Sequence, residues 1–411
     1  MKTFLGLLIA LSVELPAQGI LSPRIGTLRV RGELLSRVPV FGLPGKRITI
    51  SFDFFEEKPA DIRMKFIHCD KDWKATESGF INDEFRNSIR TPIPFVPAPK
   101  GVSRTRFVYS VTIPGFGGVD SLPYSGNYMV ELWAKEENEL LGRGRFFVVE
   151  QQKDASMKVF NRYLPSEASP RNLVNKIVLS YKVPDAKEES VTILPDFLTV
   201  DVYKNRELDW PQRINVNDAS PNTFIEGWGT KDLKFIVDNL IPGNEYRRLD
   251  LRNVDWYPPG QVVRSRDGAD VSRYLHHGAT DHNGGSILVT AGRYSDYVEY
   301  QFELLPFDKN DRTPMFVVGD FNGWKPSTAW QLTYDLEAER YRLVCSLHRG
   351  AYDYAYVYGT EDLVTYEGND WRTVNVYSAF LYYHDARLGG YDRIVLFSQA
   401  RSPGGNSPTS N

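Results

Sequence analysis

Cysteine and histidine are scarce in this chain of 411 residues, which has 2 Cys and 6 His. Cys69 and Cys345 stand far apart, whereas a disulfide-built scaffold needs an even set of closely spaced cysteines. The two are therefore expected as small buried hydrophobes in different parts of the fold. The densest histidine group, His276-His277-Gly-Ala-Thr-Asp281-His282, matches no closed structural zinc site, and no CxxC or HExxH accompanies it, so it reads as a polar loop. Excess charge is also missing: 49 Lys and Arg meet 52 Asp and Glu, a formal net charge of −3. Holding nucleic acid through its phosphates takes a basic excess or stripe, so nucleic acid is not an expected partner. G-x-S-x-G, a Walker A loop and a strand-to-helix G-x-G-x-x-G are all absent. Acidic residues are many but scattered, and nothing selects two of them as a glycosidase pair. No catalytic residue, metal site or cofactor is expected, and neither is a small-molecule ligand.

The apolar run Phe4–Val13 is too short for a bilayer span, which takes about 20 residues. Behind Lys2 and ahead of Pro16-Ala17 it reads as a secretory signal peptide, residues 1–17. An exported protein without a direct membrane span is expected.

Aromatic residues are abundant at 13%, with 23 Tyr and 23 Phe, and are interrupted by 25 Pro and 32 Gly. Strand formers broken often by turn formers indicate an all-β chain. In residues 25–150, the stretches 48–52, 63–67, 107–113, 128–133 and 145–149 read as strands, several alternating apolar and polar residues at period two. Turn clusters at 114–118 and 125–127 separate them. Pro92–Pro99 cannot be a central strand, because proline donates nothing to the ladder, and is expected as an extended edge or crossing loop. A second segment, 151–305, gives strands at 176–181, 198–203, 233–237 and 298–302. A third, 315–398, gives strands at 315–318, 341–345, 352–358, 379–383 and 393–397, and the tail 399–411 is expected to be disordered. The expected architecture is three immunoglobulin-like or early-set β-sandwich domains in series.

Gly319-Asp-Phe-Asn-Gly-Trp324 follows an apolar strand, with Trp330 nearby. It resembles the G-x-F-N-x-W of glycogen-binding modules, so Phe321, Trp324 and Trp330 are candidates for stacking on a glycan. The alternative is that Phe321 and Trp324 pack inward while Asn322-Gly323 makes the turn.

A wider set of strings runs along the chain in order. It comprises Pro39–Leu43, Ile48–Asp53, Ile67-His-Cys-Asp-Lys-Asp-Trp73, Ser125-Gly-Asn-Tyr128, Arg145–Glu150, Pro242-Gly-Asn-Glu-Tyr-Arg-Arg-Leu-Asp-Leu-Arg252, Gly319–Trp324, Glu367-Gly-Asn369, Tyr382-Tyr383, Arg387 and Gly390-Tyr-Asp-Arg-Ile394. In this order the chain resembles the type IX secretion system plug protein family of the Bacteroidetes group. The resemblance implies a non-catalytic periplasmic protein, peripherally associated with the outer membrane. It would dock on the periplasmic end of a very large outer-membrane β-barrel translocon and seal its channel when no substrate is in transit. The alternative function is a periplasmic or secreted glycan-binding protein acting through the last domain.

Overall fold

The computed structural model describes residues 19–32, 38–42, 46–119, 122–150, 155–164, 173–184, 197–218, 220–273, 281–290, 292 and 295–404. The expected leader, the polar joint 151–154, and His276 and His277 lie outside these. The chain is nearly all β, in several sheets that are largely antiparallel. No helix of the described residues is long and apolar enough to cross a membrane.

Two sheets build the N-terminal sandwich. One runs Ile25–Gly32, Ile48–Phe54, Phe107–Ile113, Phe95–Pro97, with the proline-rich segment as its edge. The other centres on Ile62–Cys69, Gly126–Ala134 and Glu139–Val149. Inward residues of both, among them Ile50, Phe52, Met64, Tyr128 and Leu132, form one core. Phe107–Ile113 alternates buried and open positions, as a sheet with one wet face must. Gly126–Ala134 and Glu139–Val149 are instead buried almost throughout, which means that their outer face is covered as well.

The cover is a second sandwich. Its nearer sheet runs Gln212–Asn215, Leu198–Lys204, Val376–Asp385, Tyr391–Arg401, and its farther sheet runs Ala155–Tyr163, Leu173–Lys182, Asp232–Leu240, Thr223–Glu226. Ile177, Leu179 and Phe235 meet Val200, Leu381 and Val395 between them. The nearer sheet also lies on the N-terminal sandwich, where Val40, Phe147 and Val149 pack on Tyr203, Phe380, Tyr382 and Ile394. Four sheets are thus stacked face to face.

Strand pairing departs from the expected segment boundaries here. The strand expected at 379–383 in the third segment is Val376–Asp385, and it pairs through Tyr377–Tyr383 with Leu198–Lys204 of the second. The strand is buried on both faces, so it needs neighbours and cover on all sides, and the second sandwich supplies them. Its partner Tyr391–Arg401 also runs past 399, where the tail was expected to begin.

Between Leu240 and Val376 the chain makes a third body, one sheet that curls back on itself. Gln331–Asp335 is the bend: Leu332 pairs with Met315 on one side and Thr333 with Arg342 on the other. The two halves meet over Phe302, Leu304, Val317, Leu347 and Tyr356, with the Phe302 and Tyr354 rings 5.3 Å apart. Cys69 is buried in the first body and Cys345 half-buried in this one, and both are free.

Candidate functional site

Many of the residues that carry the family resemblance lie at the joints between these bodies. At the first joint the chain leaves strand Ile62–Cys69 through Asp70–Trp73 and runs under the second sandwich. Asn127 Nδ2 donates to Asp70 O (3.0 Å), and Tyr382 OH donates to Asn127 Oδ1 (2.9 Å). The Lys71 amide donates to Asp392 Oδ2 (3.0 Å), and the His384 ring meets the other Asp392 oxygen at 2.8 Å. Burial works against ionising Asp392, but these two partners outweigh it and hold its carboxyl below the usual range.

Arg393 grips Glu150 with two bonds (3.0 and 2.7 Å), and Ser125 donates to the same carboxylate. Arg213 forks onto Asp201 (2.7 and 2.7 Å) and reaches Asp72. Trp73 lies edge-on to Phe147, with the buried Arg145 guanidinium 4.9 Å from its ring and bridging to Asp209 (2.9 Å). Phe147 stacks on Phe380 at 4.0 Å. His68 is buried against the Ser125 carbonyl (3.0 Å), and burial pushes its imidazole down to about 4. Gly126 has a positive φ of 146°, and a Cβ there would sit 2.2 Å from His68 Nε2. The Ser125-Gly-Asn127 string therefore needs its glycine.

At the second joint, Pro242–Arg252 and Glu367–Asn369 tie the curled sheet to the second sandwich. Asn369 accepts from the Gly243 amide (3.0 Å), and Asn244 donates to Glu367 O (2.8 Å). Tyr246 OH donates to Glu207 (2.5 Å), with Asn205 Nδ2 3.1 Å away. The arginine run separates by strand alternation. Arg247 turns inward onto Glu367, Arg248 faces out, and Arg252 pairs with Asp250 (2.8 Å).

The glycan candidates lie at this joint too. Gly319–Trp324 forms a tight turn in which Asn322 accepts from the Gly319 amide (2.9 Å) and donates to Val317 O (3.0 Å). Trp324 is 1% exposed, 4.3 Å from the Tyr246 ring, and its indole N–H donates to Gly284 O (2.8 Å). It offers no open face to a sugar. Phe321 packs on Trp330 (4.8 Å) and on the third core, and Asp320 bridges to Arg206 of the second sandwich (2.6 Å). Trp324→Phe removes a buried donor and leaves Gly284 O unpaired. It is expected to cost about 1–2 kcal/mol, read as a lower urea midpoint.

A third joint closes the ring. Asp296 of the curled sheet accepts from the Ser103 amide and hydroxyl (both 2.7 Å) and the Arg104 amide (3.2 Å). Tyr297 OH donates to the buried Asp53 (2.7 Å). Each body thus touches the other two. Among the described residues no three His, Cys, Asp or Glu converge as a metal site. The clearest cleft, about 410 Å³, lies at the first joint between Tyr124, Glu150, Leu388, Tyr391 and Arg393. Of its charged residues, Glu150 and Arg393 are paired with each other and Arg387 with Asp385.

Fold and joints together define a multi-layered all-β protein whose distinctive polar residues are spent on holding its bodies together. Residues 25–150 match the family model described as the type 9 secretion system plug protein 1st domain, the family that the sequence resembles. The fold is similar to that of a solved hypothetical protein from Parabacteroides merdae ATCC 43184. The TM-score is 0.76 at 18% identity, over 94% of this chain and 99% of that one. A biofilm-associated protein BSP domain aligns at a TM-score of 0.18 and 9% identity, over 96% of this chain and 62% of that one, which carries no argument. No curated protein matches the chain.

Proposed function

We propose that this chain is a non-catalytic component of type IX secretion. In this reading it binds the periplasmic end of the large outer-membrane β-barrel translocon and seals the channel between substrates. The family match supports the system. The observation that carries the sealing role is the closed ring of joints. Among the described residues each body is bonded to both others, which supports a cap that moves as one unit. A folded chain of this length is roughly 50 Å across, and a wide barrel encloses an aqueous lumen that needs a bulky, rigid stopper.

The test is isolation of the translocon from native membranes in detergent, together with deletion of this chain. The expected result is co-purification with the barrel and, on deletion, entry of large hydrophilic dyes into the periplasm. A barrel fraction that lacks the chain, with an envelope equally tight without it, would overturn the reading.

A further inference from the structure

The loop between strand Ile62–Cys69 and the short strand Ser88–Ile89 is tied down unusually well for a surface loop. The His68 amide donates to Asn82 Oδ1 (2.7 Å), and Asn82 Nδ2 returns to His68 O (3.0 Å) and Thr76 O (2.7 Å). Arg86 donates to Phe80 O (2.6 Å) and stacks on Tyr124, Asn87 donates to Ile81 O (2.9 Å), and Ile81 is fully buried. The loop nevertheless holds Phe80 and Phe85 out into solvent, 72% and 75% exposed. Leu388, 43% exposed, sits on a turn whose carbonyl accepts from Ser78 of the same loop. Single exposed apolar residues are ordinary, but three on one rigid prominence are not.

Cations ring the base of this prominence. The Arg90 guanidinium lies 4.5 Å from the Phe85 ring. The register Met64 to Ile89 and Lys65 to Ser88 sets Arg90 opposite Arg63. Like charges facing across strands repel; Glu84 pairs with Lys65 at 2.9 Å and acts on all three, and the buried Glu131, opposite Lys65 in the register, pairs with Arg143. Asp83 is occupied by the Arg86 amide (2.7 Å), and Glu77 is exposed on the loop.

We infer that this prominence docks on an anionic phospholipid surface, with Phe80 and Phe85 entering the headgroup–acyl boundary and Arg63, Lys65 and Arg90 meeting lipid phosphates. Phenyl rings held this far out into solvent suit a deformable medium, and basic residues on the adjoining strands lie where phosphates lie when the tips are buried by about 5–10 Å. The inference stands on the loop and not on the translocon reading.

Flotation of the full chain with phosphatidylethanolamine vesicles, with and without phosphatidylglycerol, tests it. Binding is expected only with the anionic lipid and is expected to weaken with salt. Removing two arginine contacts, as in Arg63→Gln with Arg90→Gln, lowers the partition about thirtyfold. Phe80→Ser with Phe85→Ser lowers it by about tenfold or more. All four side chains are exposed, so an unchanged circular dichroism spectrum and urea midpoint verify the fold. Equal partition to neutral vesicles, no binding, or binding indifferent to both double variants overturns the inference. So does loss of barrel co-purification in these variants when the wild type ignores vesicles, because the face would then belong to an acidic protein partner.

Discussion

Arg247→Ala is expected to remove about 3–5 kcal/mol of stability, the largest loss from any single truncation at the second joint. The guanidinium is buried in the third body, with Nε 2.9 Å from both oxygens of Glu367, Nη1 3.4 Å from Asp270, and Nη2 donating to Val271 O (2.7 Å). Tyr356 lies beneath it, 5.1 Å to the ring centre. Glu367 is also buried and accepts the Tyr356 amide (2.8 Å), so truncating Arg247 strands a charge that cannot reach water. Most of the cost is that orphaned carboxylate and not the lost attraction. Glu367→Gln in the Arg247→Ala background is therefore expected to recover part of the loss, since the amide still accepts the Tyr356 amide and carries no charge. Urea denaturation of the four proteins closes the cycle. A loss below about 1 kcal/mol for Arg247→Ala would mean that the pair is hydrated, as surface bridges are.

The contrast with Arg248 and Arg252 shows what was legible in the sequence and what was not. Arg247, Arg248 and Arg252 stand close to Asp250 in the sequence, as a surface cluster of ion pairs would, and Arg252 does pair with Asp250. The strand Arg247–Asp250, however, is four residues long and three of its side chains are charged, so no apolar period marked it and Arg247 could not be assigned inward. Longer strands were plain: Phe107–Ile113 has the expected bounds, and Leu198–Lys204 extends them by one residue.

Topology was less legible. Val376–Asp385 is apolar on both faces through residues 379–383, which announces burial but names no neighbour, so the return of the chain to the second sandwich after a whole intervening body left no mark. The joint strings were visible as strings, and their shared location appeared only when Asp70, Asn127, Tyr382 and Asp392 came within bonding distance. Phe80 and Phe85 went unremarked because a phenylalanine in a polar loop reads equally well as an anchor turned inward, which is what the neighbouring Ile81 is.

The second joint is also expected to weaken as pH rises. Asp353, on strand Gly350–Tyr358, has no exposed surface. Its Oδ2 accepts the His282 amide (2.6 Å) and the Gly284 amide (3.0 Å), while Oδ1 has no partner. Burial, and then the charge of Asp281, push its carboxyl up to about 7, and Arg248 opposes them from the paired strand. Glu245, which accepts the Val374 amide (2.9 Å), is raised for the same reasons, burial first and Asp281 second. A carboxyl whose folded value lies above its unfolded 3.8 binds more protons folded than unfolded between those limits. Its contribution is therefore complete below about pH 4 and is lost as pH rises through 7. For Asp353 the full span is on the order of 4 kcal/mol.

His68 acts in the opposite sense at the first joint. Its value is depressed from 6.5 to about 4, so its contribution is lost as pH falls through that range. The wild-type profile mixes the two, and the difference between wild type and Asp353→Asn separates them. The asparagine carbonyl can take both amide donors without ionising. The variant is expected to match wild type near pH 4 and to exceed it by a few kcal/mol at pH 8, with urea midpoints as the measure. A constant offset across that range would mean that Asp353 titrates like an exposed carboxylate, and the pH sensitivity of the joint would have to lie elsewhere.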